Sequence, residues 1–198
     1  MQTTIVSWLL AALLSWTPNQ GKSDARKEFL TSVAQDIVEL AYSEPVPFKG
    51  PYAHAHMALL VASVGSLESR FEKRIQEGRC KHGECDGGHA FCFMQIHPDA
   101  GIELLENRNE ITPSRSSDRI LGVNLLTFDQ DGGQGQRTCL HVGLHMLRRA
   151  LRFSGGKDIK AYTGETGEES PSSDARLGQV REWLSKHPPP VRDEDYME

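Results

Sequence analysis

The sequence predicts a mainly α protein, and three observations predict it. Long stretches repeat apolar residues at three- and four-residue steps, clusters of proline and glycine separate those stretches, and only one short apolar run, over 90–96, lacks a helical period. The length of 198 residues suits one domain of ordinary size, or two at most. With 38% apolar and 25% charged residues the chain can bury a sizeable core, which excludes wholesale disorder. The 22 Lys+Arg against 27 Asp+Glu leave a formal charge of −5, which argues against a general nucleic-acid binder. No run approaches the roughly 20 apolar residues that a membrane-spanning helix needs.

The first element is the apolar run from Ile5 to Trp16, stopped by Thr17-Pro18-Asn19. A secretory signal has an apolar segment of this length. No Lys or Arg precedes Lys22, however, and no clean A-x-A cleavage site follows. The expectation for 1–20 is therefore a packed N-terminal helix, docked on the domain or on a protein partner, with a degenerate signal as the alternative. The main domain is expected over 26–186 and a flexible tail over 187–198.

A helix over 26–42 follows from Phe29, Leu30, Val33, Ile37 and Leu40 on one face. Pro45, Pro47, Gly50 and Pro51 make a loop. A second helix is predicted over 52–76, with Met57, Leu60, Val61, Val64, Leu67, Phe71 and Ile75 along one stripe and Gly78 at its end. Residues 77–89, rich in Gly, Cys and charge, read as an irregular loop, and 90–96 as an extended segment. Pro98 starts a short helix over 98–105. The polar stretch 107–137 reads as loop with a helical insert near 120–126. Helices over 138–153, lined by Leu140, Leu144, Leu147 and Leu151, and over 176–186 complete the chain.

The four cysteines, Cys80, Cys85, Cys92 and Cys139, fit disulfides or free thiols equally well. A zinc reading of Cys80-Lys-His82-Gly-Glu-Cys85 would need a further ligand from Cys92, His89 or Asp86, and the spacing matches no standard ligand pair. His141 and His145 lie four apart on one helix face, but no H-E-x-x-H accompanies them, so they read as structural residues. His82, His89 and His97 carry no metal pattern either.

Glu68 is the informative residue, because position 68 falls inside the apolar stripe of the second helix, with Val64, Phe71 and Ile75 at i−4, i+3 and i+7. A carboxyl group against apolar surface is partly desolvated, which raises its pKa and suits a proton donor near neutral pH. The plainer alternative places Glu68 at the stripe's edge, in solvent or paired with Arg70 or Lys73.

The segment Ala62-Ser-Val-Gly-Ser-Leu-Glu68-Ser69-Arg70-Phe71 resembles the first motif of the lysozyme-like soluble lytic transglycosylases, in which an acidic residue followed by serine ends a buried helix. Met94-Gln95-Ile96-His97-Pro98 is similar to their second motif, Cys139-Leu-His-Val-Gly143-Leu-His-Met-Leu147 to their helix pattern N-I-x-x-G-x-x-Y-L, and Ala161-Tyr162-Thr163-Gly164 to their third motif, A-Y-N-A-G. The matches run in family order over about residues 55–167. Cys92 stands where the second motif has glycine and Cys139 where the helix begins with asparagine, which suggests a Cys92–Cys139 disulfide. The third motif is one residue short and lacks its asparagine.

The resemblance implies a lysozyme-like fold with a minimal or absent sheet. It also implies cleavage of the MurNAc–GlcNAc β-1,4 bond of peptidoglycan, with a 1,6-anhydro product. Glu68 would act as acid and then base, and Tyr162 would orient the acetamido group or Glu68. Ser69 and Gln95 would hydrogen-bond the sugar, and Met94 and Ile96 would wall the cleft. Without the resemblance, Tyr162 reads as a surface aromatic, Gln95 as a solvated strand residue and Met94 as ordinary core. No metal and no cofactor enters this chemistry.

A hydrolysing lysozyme with Asp86, Asp99 or Glu165 as second carboxylate is one alternative. A catalytically silent cell-wall-binding or virion module is another. The expected partners are peptidoglycan glycan strands and, through Ile5 to Trp16, a virion or envelope protein. The expected setting is a phage virion or the bacterial envelope.

Overall fold

The computed structural model describes residues 2–18, 23–97, 134–164 and 171–196. Within these it is mainly helical, with α1 (Gln2–Trp16), α2 (Asp24–Ser43), α3 (Ala53–Glu68), α4 (Lys73–Gln76), α5 (Gln134–Phe153), α6 (Lys160–Thr163), α7 (Pro171–Lys186) and α8 (Asp193–Tyr196). An isolated antiparallel bridge joins Phe91 to Ile96, and no sheet forms among the described residues. None of the helices is long and apolar enough to cross a membrane. The chain divides into two compact units, one of Met1–Leu67 with Leu147–Glu198 and one of Glu68–Met146.

In the first unit, the apolar run at the N-terminus forms α1 and packs on α2. Ile5, Leu9, Ala12 and Leu13 are fully buried within the chain. Docking on the domain is what the structure shows for this face of the run, while its other side is open, with Leu14 39% exposed. Trp16 meets Trp183 of α7 edge-on at 5.7 Å, and the Trp8 indole donates to the carbonyl of His187 at 3.0 Å. Helix α2 starts at an N-cap, Ser23, whose hydroxyl accepts from the Arg26 amide, and it buries Leu30, Val33, Ile37 and Leu40.

Helix α3 differs from its prediction in extent and in surroundings. It is buried almost all round, from Met57 through Ser66, and not along one stripe. It stops at Glu68 because Arg70 and Phe71 take left-handed backbone, φ 54° and 52°, which a right-handed helix cannot continue. Leu67, expected in the stripe, is 47% exposed. The side chain of Ser63 lies 2.8 Å from Oε1 of Gln179 and 3.0 Å from the carbonyl of Arg176, which ties α3 to α7. Helix α7 begins at Pro171, five residues earlier than predicted, with proline in the first turn where its missing N–H costs nothing.

Arg148, in the C-terminal half of α5, is buried and pairs with Glu44 at 2.8 Å. The tail predicted to be flexible over 187–198 is docked as far as Tyr196. Asp193 Oδ2 accepts from the His54 amide at 3.1 Å and lies 3.0 Å from His54 Nδ1, while the Tyr196 ring lies 3.8 Å from that of Tyr42. Burial, reinforced by Asp193, pushes the Tyr42 phenol well above its ordinary value.

The second unit takes its stiffness from covalent and backbone features. Its cysteines pair as Cys80–Cys85 and Cys92–Cys139, with Cα separations of 6.1 and 6.2 Å, which sets aside both the free-thiol and the zinc readings. Helix α5 begins at Gln134, four residues before its predicted start, and buries Cys139, Leu140, Val142 and Leu144 here. The predicted helix over 98–105, the insert near 120–126 and the loop before residue 134 lie outside the described residues, as do Asp99 and Glu165.

Candidate functional site

Glu68 and the second motif both belong to the Glu68–Met146 unit. Glu68 is the last residue of α3 and is half-buried. Its predicted helical neighbours at 71 and 75 lie beyond the end of α3. They still reach the core, Phe71 fully buried and Ile75 at 6%, but through the turn and the separate helix α4. Ser69 is buried and its hydroxyl accepts from the Phe71 amide at 3.1 Å, so it braces the left-handed turn. The structure gives Ser69 a backbone partner where the sequence suggested a sugar.

The second motif forms a tight turn over 91–96. Phe91 and Ile96 exchange backbone hydrogen bonds at 2.9 Å, and the Gln95 amide donates to the Cys92 carbonyl at 3.1 Å. Cys92 and Gln95 both have positive φ, 57° and 48°. The Gln95 side-chain amide donates to the same Cys92 carbonyl at 2.9 Å and lies 3.7 Å from Cys85 Sγ, which fixes the direction of this half-buried group. Met94 and Ile96 are fully buried. They support the turn from inside and are not exposed cleft walls, so for Met94 the core reading describes its position.

Phe71 and Phe93 meet edge-on at 5.3 Å, bringing the segment after Glu68 against the 91–96 turn. Gln76, buried and overlooked in the sequence, accepts from the Phe93 amide at 3.3 Å and reinforces the same junction. On the other side of the turn, Met94 packs on α5 at Gly143, where a Cβ would sit only 2.7 Å from the Met94 Cγ and Cε atoms. Glycine there permits the close approach of helix and turn.

A cavity of about 520 Å³ opens beside this turn, with Cys80, His82, Glu84, Cys85 and Phe91 in its wall. The wall includes a left-handed turn over Cys85–Gly88, where all four φ values are positive. Arg74 holds the loop by a fork to Glu84, Nη1 to Oε2 at 2.5 Å and Nη2 to Oε1 at 2.9 Å. The Arg74 guanidinium, then the Lys81 backbone amide, hold the Glu84 carboxyl down to about 2. The density of glycine between two cysteines was the available signal for this shaped loop. Asp86 is exposed, 3.6 Å from His97.

Tyr162 belongs to the other unit, half-buried on α6, with Gly164 ending that helix at φ 72°. Thus five of the six sequence-predicted site residues share one unit, and three of those five are buried supports. No protein-family profile matches the chain, and no curated protein or solved structure is significantly similar to it.

Proposed function

We propose that the protein is a peptidoglycan lytic transglycosylase of lysozyme-like architecture, with Glu68 as its acid and base. The observation that carries this reading is the location of Glu68. A half-buried carboxylate ends a helix that is buried from Met57 through Ser66, and positive-φ turns follow it at Arg70–Phe71, Cys85–Asp86, Cys92 and Gln95. Strain of this kind persists only where the surroundings over-determine it, and it clusters at functional sites.

In this reading the Glu68 carboxyl gives its proton to the glycosidic oxygen as the bond to C1 breaks, and the positive centre at C1 is stabilised by the substrate's own acetamido oxygen. The Glu68 carboxylate then takes the proton of the muramic 6-hydroxyl, whose oxygen closes onto C1 to give the 1,6-anhydro ring. No water is consumed. Gln95, half-buried with its side-chain amide held on the Cys92 carbonyl, is assigned to a sugar hydroxyl and Tyr162 to the acetamido group, both by resemblance. Glycan strands in a virion-borne or envelope setting are the corresponding substrate.

The test is digestion of purified peptidoglycan with product masses. Wild type is expected to release anhydro ends, and Glu68→Gln to lose activity by about 10³-fold or more, the scale of a general acid's contribution with its positioning. Reducing ends alone would make the protein a hydrolysing lysozyme. Wall binding without lysis in wild type would leave it a silent binding module.

A further inference from the structure

Outside that site, one cluster of side chains has chemistry that the glycan reading does not use. His141 and His145 stand one turn apart on α5, so their side chains share a face. Their rings lie 4.5 Å apart, and Nε2 of one is 2.8 Å from Nε2 of the other. His145 is 6% exposed while His141 is half-buried, so the pair is held by the protein on one side and reachable on the other.

Two neutral imidazoles meeting through the same ring nitrogen must adopt opposite tautomers, one giving a proton and the other receiving it. A cation accepts both lone pairs with the two rings in the same tautomer. With metal–nitrogen bonds of about 2.05 Å, two nitrogens on one ion sit about 2.9 Å apart at a right angle and about 3.3 Å apart at the tetrahedral angle. The observed 2.8 Å matches the right-angle arrangement of tetragonal and octahedral ions.

We propose that His141 and His145 form a two-nitrogen chelate for a divalent first-row ion, with Cu²⁺ bound most tightly, then Ni²⁺, then Zn²⁺. Both the right-angle spacing and the intrinsic order of imidazole affinity favour that ranking. The site is independent of the glycan reading, since neither histidine has a role in it.

The test uses full-length, untagged, oxidised protein stripped with EDTA and titrated with Cu²⁺, Ni²⁺ and Zn²⁺ by calorimetry. Paramagnetic resonance of the Cu²⁺ form is expected to show coupling to two imidazole nitrogens. His141→Gln and His145→Gln are each expected to weaken Cu²⁺ binding by on the order of a hundredfold, the advantage lost when two linked donors become one. His89→Gln, at an exposed histidine, should leave it unchanged. Because His145 is buried and its variant can misfold, the resonance measurement on wild type stands by itself. Coupling to a single nitrogen, binding indifferent to His141→Gln, or Zn²⁺ bound more tightly than Cu²⁺ would overturn the proposal, leaving a hydrogen-bonded histidine pair only.

Discussion

The two units of this chain are held together by different means. In the Met1–Leu67 and Leu147–Glu198 unit, helices bury apolar faces and polar groups tie one helix to the next, as Ser63 does to α7. The Glu68–Met146 unit contains both disulfides and all of the described non-glycine residues with positive φ, namely Arg70, Phe71, Cys85, Asp86, Cys92 and Gln95. Where the first unit relies on periodicity and burial, the second relies on cross-links and turns that direct particular side chains. A scaffold tolerates generic packing, whereas a site requires specified directions.

That contrast breaks most visibly at the long cross-link. Cys92–Cys139 spans a sequence separation of 47 and Cys80–Cys85 one of 5. Chain-entropy arguments assign about 4 kcal/mol to the first and about 2 kcal/mol to the second. Urea unfolding of the Cys92→Ser/Cys139→Ser protein should show a loss about twice that of Cys80→Ser/Cys85→Ser. Equal losses would mean that strain or residual structure, not loop closure, governs this unit.

The same substitution should have opposite signs in the two units. Gly143→Ala places a methyl 2.7 Å from Met94 and is expected to cost about 1–3 kcal/mol. Gly178→Ala on α7 meets nothing within 4 Å and is expected to stabilise by about 0.5–1 kcal/mol, through a stiffer unfolded chain and better helix propensity. Thermal unfolding checks both. A stabilising Gly143→Ala would show that turn and helix can move apart freely.

The smallest effect sharpens the comparison by pH. Glu84 has its ionisation lowered to about 2 from an ordinary 4.5, so its pairing with Arg74 contributes fully above pH 4.5 and is lost as pH falls toward 2. Amide protection over 77–90, taken relative to the intrinsic exchange rate at each pH, should fall across that window in wild type, and the acid-dependent step should be missing in Glu84→Gln. The pair is well solvated, so global stability should move little.

The first unit was largely legible because its signal is periodic. Leu30, Val33, Ile37 and Leu40 describe the buried face of α2, and the same periodicity in Leu140, Leu144, Leu147 and Leu151 marks α5, which starts in the second unit. The end of α3 was not legible, for a definite reason. Phe71 and Ile75 are apolar at helical spacing after Val64 and do become buried, so they imitate a continuing stripe while reaching the core by another path. Left-handed backbone at Arg70 and Phe71 has no compositional mark, because neither is glycine or asparagine. At the candidate site, Glu68 could be picked out as a carboxylate within an apolar stripe, whereas Gln95 stood out only through the motif resemblance. That Met94 fills a gap opposite Gly143 depends on contact between distant segments, and that Ser69 braces a turn depends on the left-handed backbone just after it.

The docked C-terminal segment supplies the molecule with an intrinsic optical probe. Tyr42 owes its resistance to ionisation to enclosure and to the nearby Asp193 carboxylate, and the Tyr196 ring lies across it. Peeling residues 192–196 away would admit water to that phenol and withdraw the carboxylate, so its ultraviolet absorbance would begin to change at a lower alkaline pH. An alkaline absorbance titration therefore reports whether this strap is seated, without any label.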